Sequence, residues 1–167
     1  MRRQFLLATL SALLPNRARS QDIVPPTLVG VAARALTDLI ESARSQAIAD
    51  GVRAMPSGVY RGLLGYFPDG VLRHVRYAVG QAKGIVLPSL AFNYGDAAAI
   101  TLGDVVLFKD SLKAQTDLKL WAHELTHVLQ YQRWGVAGFA EHYVRDRSDV
   151  EQEAYDNADR FAAWRGG

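Results

Sequence analysis

The sequence predicts an α+β domain: a small antiparallel sheet packed with an N-terminal helix, a central helix and a C-terminal helix. Three observations lead there. Residues 28–49 and 149–164 are rich in Ala, and their apolar residues recur at roughly helical spacing. Residues 99–108 place Ile100, Thr101, Val105 and Val106 around a Gly103-Asp104 pair, the composition of strands joined by a tight turn. Residues 117–131 open on Asp117, a good cap, and continue with helical composition.

The chain begins with a segment unlike the rest. Residues 1–20 hold Arg2, Arg3, Arg17 and Arg19 and no acidic residue. An apolar run of ten residues, 5–14, is too short to span a bilayer and stops at Pro15. Ala18 and Ser20 are small residues where a signal peptidase reads, so an export signal over 1–20 is expected, of either the twin-arginine or the general secretory type. The protein is then periplasmic or extracellular in a bacterium, with no membrane contact after signal removal. The whole chain has 19 Lys+Arg against 17 Asp+Glu and a sequence pI near 9.0. Taking away the four leading arginines leaves 15 basic against 17 acidic residues, a net charge of −2. No basic face for nucleic acid survives that subtraction.

The 167 residues are 49% apolar and 22% charged, ordinary for a globular domain. A helical segment is expected over 21–54 and the main domain over 55–167. Thr27 is positioned to cap the first helix, and Val31, Leu36, Leu39, Ile40 and Ala43 mark its apolar face. Asp50-Gly51 ends it, with Gly51 suited to the left-handed cap. Pro56-Ser57-Gly58 reads as a loop before a short helix at 59–64, and Phe67-Pro68-Asp69-Gly70 reads as a turn. Residues 74–79 alternate, with Val75, Tyr77 and Val79 on one side and His74 as a structural histidine. Residues 84–87 form a short apolar run. Arg145 to Asp149 reads as a charge-mixed loop leading into the last helix, where Ala154, Ala158 and Phe161 share a face. Trp121, Tyr131, Trp134, Phe139 and Tyr143 read as core aromatics. His142 and Tyr143 fall on an expected loop, where either has the chemistry to stabilise an oxyanion, yet both read as ordinary loop residues.

The chemistry lies in His123-Glu124-Leu125-Thr126-His127. On a helix, residues four apart lie on one face, so both imidazoles point at one ion. Glu124 sits about 100° around the helix, from where its carboxylate reaches a water on that ion and acts as general base. Uncharged neighbours, Trp121, Ala122, Val128 and Leu129, supply the dry surroundings a metal site gains from. There is no cysteine, so any site is built from histidine and carboxylate, ligands that suit zinc. A third protein ligand must come from elsewhere. Gln130 and Arg133 occupy the positions where a metzincin would have its glycine and third histidine, which excludes that branch. Glu151 and Glu153, on the C-terminal helix, are the leading candidates.

Residues 98–131 followed by 151–162 resemble the eCIS core domain, a metallopeptidase-like domain associated with extracellular contractile injection systems. The features that carry the resemblance are the apolar strand before the motif helix, Gln130 soon after it, and Glu151-Gln152-Glu153-Ala154. The likeness extends over 55–165. It implies a minimal Glu-zincin fold, with the third ligand on a separate antiparallel helix. In related Glu-zincins that ligand opens a Glu-x-x-x-Asp turn, a register that selects Glu151. The fifth position is Tyr155 here, so the carboxylate that usually supports the ligands is absent. The implied function is a secreted zinc metallopeptidase acting on a peptide or protein substrate. In it His123, His127 and Glu151 hold zinc, and Glu124 activates water. The alternative is a zinc-stabilised binding or assembly module without turnover.

Overall fold

The computed structural model of the chain describes residues 26–80 and 98–167. The expected export signal and the apolar run at 84–87 lie outside the described residues. Among those described, six helices surround a four-stranded sheet. In chain order they are α1 (Pro26–Asp50), β1 (Arg53–Ala54), α2 (Ser57–Leu63), α3 (Asp69–His74), β2 (Arg76–Val79), β3 (Ala99–Leu102), β4 (Val105–Phe108), α4 (Ser111–Thr116), α5 (Leu118–Arg145) and α6 (Arg147–Gly166). No described helix is long and apolar enough to cross a membrane.

The α+β class matches the expectation, but the sheet is mixed. Its order is β1-β2-β4-β3. β3 and β4 form the expected hairpin around Gly103-Asp104, whereas β2 runs parallel to β4. A parallel pair requires a crossover rather than a tight turn, and β2 and β4 are 25 residues apart, so local turn signals could not show the pairing. β4 is buried along its whole length. Its alternate side chains serve two cores: Val106 and Phe108 pack with Trp121, Leu125 and Phe161, and Val105 and Leu107 pack with Ile40, Ala43 and Tyr131.

Helix α1 supplies one wall of the second core. Its buried stripe is Val29, Ala33, Ile40, Ala43 and Ala47, with Leu36 packed beside them. That four-and-three spacing is an amphipathic seam. Val31, expected inside, is 69% exposed; the seam uses small alanines that a search for large apolar residues passes over. The helix starts at Pro26, so Thr27 falls inside its first turn rather than capping it. Its end at Asp50 is as expected, with Gly51 at φ 106°.

Two local expectations are corrected. Phe67-Pro68-Asp69-Gly70 does not simply turn the chain. Pro68 stands at the N-cap of α3, and Asp69 sits in its first turn. Pro and Asp favour a helix start as much as a turn. His74 therefore ends a helix instead of lying in a strand, and its exposed ring reaches Asp104 at 3.0 Å. Residues 145–149 are likewise not a loop. Asp146 alone separates α5 from α6 and caps α6 by accepting from Asp149 N–H.

Asp104, in the hairpin turn, also takes the Arg44 guanidinium at 2.6 Å, which ties α1 to the sheet. Partial burial raises the carboxyl pKa, but the Arg44 hydrogen bond and charge outweigh it, and the net shift is downward from 3.8. A depressed folded pKa contributes stability above the unfolded value and loses it as pH falls through the folded one. Asp104→Asn is therefore expected to cost about 1 kcal/mol at pH 7. Urea unfolding across pH should show this difference shrinking below pH 3.8 and vanishing in stronger acid.

Candidate metal centre

Helix α5 carries the motif, and its start is set by Asp117, whose side chain accepts from the Leu120 N–H at 2.9 Å. Two turns of core-facing residues, Trp121, Ala122, Leu125 and Val128, seat the helix against the sheet. His123, Glu124 and His127 are then presented to a cavity of about 300 Å³. Its walls are α1 (Leu36, Ile40), strand β3 and the helices α5 and α6. Glu151 enters it from the N-terminal part of α6.

His123, His127 and Glu151 meet there. The two Nε2 atoms are 3.1 Å apart, and Glu151 Oε2 lies 3.4 Å from the first and 3.7 Å from the second. Ligands about 2.0–2.1 Å from a tetrahedral zinc ion are about 3.4 Å from one another. The separations and the donor set fit such an ion, and among the described residues this is the group of His and carboxylate side chains able to hold a metal. Glu153 is elsewhere: its carboxylate accepts from Gln130 at 2.9 Å and from Arg133 at 3.0 Å.

The electrostatics favour a charged site. Burial raises the Glu151 carboxyl pKa, but the facing imidazoles of His123 and His127 outweigh it and hold the group well below the usual carboxylate range. Burial disfavours a charged His127, yet the nearby Glu151 and Glu124 carboxylates raise its pKa. Where an ion binds, its positive charge takes the place of that imidazolium proton.

Gln130 does more than mark the motif. It is fully buried. Its side-chain N–H groups donate to the Val150 carbonyl at 3.0 Å and to Glu153 at 2.9 Å. Both partners only accept, so the amide orientation is determined and Oε1 faces His127 Nδ1 at 2.8 Å. His127 therefore carries its proton on Nδ1 and turns the Nε2 lone pair into the site. The same side chain fastens α5 to the residue just before Glu151. Gln130→Met should keep most of the volume and lose all three bonds; a 10- to 100-fold weaker zinc affinity is expected by competitive chelator titration.

The other imidazole lacks this support. Among the described residues His123 Nδ1 is buried without a hydrogen-bond partner, and the Tyr155 ring packs on the imidazole with centroids 4.5 Å apart. Tyr155 stands where the resemblance leads one to expect Asp.

Tyr143 and His142 lie on helix, not loop. Within α5, Gly135 adopts φ 69° and ψ 172°, which breaks the helix and which residues with a Cβ rarely adopt. An unbroken helix would carry Tyr143 about 24 Å along its axis from His127. The break instead lets Phe139 stack on Tyr131 at 3.9 Å and brings the Tyr143 hydroxyl to 3.3 Å from Glu151 Oε1. Burial and the Glu151 charge push Tyr143 up to about 12, so it remains an O–H donor at neutral pH. His142 is exposed and stacks on Trp134 instead. Of the aromatics expected in the core, Trp121, Tyr131 and Phe139 are buried, while Trp134 and Tyr143 are only partly so.

Sequence reasoning missed Thr101, whose hydroxyl donates to Glu124 Oε2 at 2.7 Å. Its signal was a polar residue in a strand otherwise made of Ala, Ile and Leu.

No curated protein and no solved structure matches this chain. Residues 64–135 match the family model of the eCIS core domain. The matched stretch is shorter than the resemblance seen in the sequence; it contains His123, Glu124 and His127 and ends at the helix break, before Glu151. Over residues 64–135, then, this chain is similar to the eCIS core domain family, the likeness its sequence suggested.

Proposed function

We propose that this protein is an exported, zinc-dependent peptide hydrolase. The observation that carries the reading is the approach of His123, His127 and Glu151 to tetrahedral-edge separations, with the buried Glu124 carboxylate lining the same cavity. Zinc, when bound by those three side chains, supplies a Lewis acid that polarises a carbonyl and lowers the pKa of water toward neutrality. Glu124 takes a proton from the attacking water as its oxygen bonds to the carbonyl carbon. As the C–N bond breaks, Glu124 passes that proton to the leaving nitrogen. Tyr143, protonated at neutral pH, is a hydrogen-bond donor at this end of the cavity. Among the described residues strand β3 is at an edge of the sheet and lines the cavity, so an extended peptide can add to it through main-chain bonds. The arginine-rich start of the chain supports export.

The test is metal analysis of the purified protein together with cleavage of a peptide library. One equivalent of zinc is expected, with cleavage abolished by a chelator and restored by zinc. Absence of metal at micromolar zinc would sink the proposal. One equivalent of zinc with no cleavage of any peptide would favour the non-catalytic assembly module.

A further inference from the structure

We infer that Thr101 is a positioning residue for Glu124, an inference that rests on the hydrolase reading above. Glu124 is 4% exposed, and a buried carboxylate that is free to rotate makes a poorly aimed base. One of its oxygens is not free. Thr101 Oγ1 donates to Oε2 at 2.7 Å and also lies 3.2 Å from the Glu124 main-chain carbonyl. The second carboxylate oxygen, Oε1, has no hydrogen-bond partner among the described residues and is left to a substrate water. Thr101 thus selects one orientation of the carboxylate and leaves one oxygen to work.

Thr101 is itself held. It is buried, its β-branched side chain is stiff at χ1, and its carbonyl accepts from the Tyr131 hydroxyl at 3.3 Å. Tyr131 lies one turn beyond His127 on α5. The motif helix therefore grips this residue twice, through Glu124 on one side of His127 and through Tyr131 on the other.

The ladder register shows why the grip falls here. Lys109 N–H donates to the Ala98 carbonyl at 3.0 Å. Antiparallel pairs alternate between hydrogen-bonded and non-hydrogen-bonded, so Ala99 opposite Phe108 and Thr101 opposite Val106 turn their main-chain groups away from β4, toward the side on which no described strand pairs. The Tyr131 bond to the Thr101 carbonyl agrees with that direction. Thr101 is the point where the edge that takes a peptide and the base that attacks it share one residue. A peptide aligned on β3 is aligned with Glu124 as well.

Thr101→Val keeps the shape and removes the hydroxyl, and Thr101→Ser keeps the hydroxyl. In zinc-loaded protein, Thr101→Val is expected to retain one equivalent of metal and an unchanged KM while kcat falls roughly a hundredfold. Thr101→Ser should recover most of that loss. A crystal structure of zinc-loaded Thr101→Val should show the Glu124 carboxylate turned from its wild-type orientation. The inference is overturned if that carboxylate stays in place, if kcat is unchanged in Thr101→Val, or if the Ser and Val variants lose equally. Should the wild type cleave no peptide, the hydrolase reading fails separately, and the Glu124 orientation in the Val variant still decides the role of Thr101.

Discussion

Glu124→Gln is expected to leave one equivalent of zinc bound and to lower peptide cleavage by about 10²- to 10⁴-fold, the span that positioned proton transfer contributes. The substitution is nearly isosteric. The amide oxygen can still accept from Thr101, so the link at 2.7 Å between the motif helix and β3 survives. An amide cannot take up the proton that a carboxylate takes from water. His127→Ala separates the two roles. It removes one imidazole of the group and breaks the bond to Gln130, so metal and cleavage should be lost together. Zinc at a hundred times its Kd raises folded-state stability by about 2.7 kcal/mol. Thermal unfolding with and without zinc should show that gain in wild type and Glu124→Gln, and none in His127→Ala. A Glu124→Gln variant that cleaves as fast as wild type would remove Glu124 from the chemistry.

Trp121→Ala is expected to cost about 3–5 kcal/mol, measured by urea unfolding of the metal-free protein. Trp121 is completely buried two residues before His123. Its ring packs on Phe108 at 4.7 Å and on Tyr77 at 5.8 Å between centroids, and its Nε1–H donates to the Ala114 carbonyl at 2.8 Å. Truncation therefore removes contact with two strands and leaves a buried carbonyl without its partner. Domains of this size are stable by about 5–15 kcal/mol, so the loss is a large share of the total. Trp121→Phe, which fills part of the volume and loses only the hydrogen bond, should cost less. A loss under about 1 kcal/mol for Trp121→Ala would contradict the anchoring role, since surface-like changes fall in that range.

The elements that could be read from sequence are those set by short-range physics. Asp117 caps α5 because its side chain needs only the N–H three residues on. The hairpin at Gly103-Asp104 needs a two-residue turn between β-branched runs. His123 and His127 share a face because four residues make about one turn. Glu151 and Glu153 could be narrowed to a pair on the last helix, but their spacing did not choose between them. Glu151 faces the imidazoles in the fold because Gln130 and Arg133 engage Glu153 from the neighbouring helix, a contact across 20 residues or more.

By itself, then, the sequence determined the motif helix, the hairpin, the absence of thiolate ligands and the restriction of any metal site to histidine and carboxylate. Each follows from residue identity or from neighbours within one turn. Only the tertiary structure decided the parallel β2–β4 pair, the return of Tyr143 to the cavity after the break at Gly135, the convergence of Glu151 on His123 and His127, and the bond from Thr101 to Glu124. These depend on where helices and strands dock. Docking is governed by the shape of buried surfaces, such as the alanine seam of α1 and the two-sided burial of β4, and local sequence patterns do not encode it.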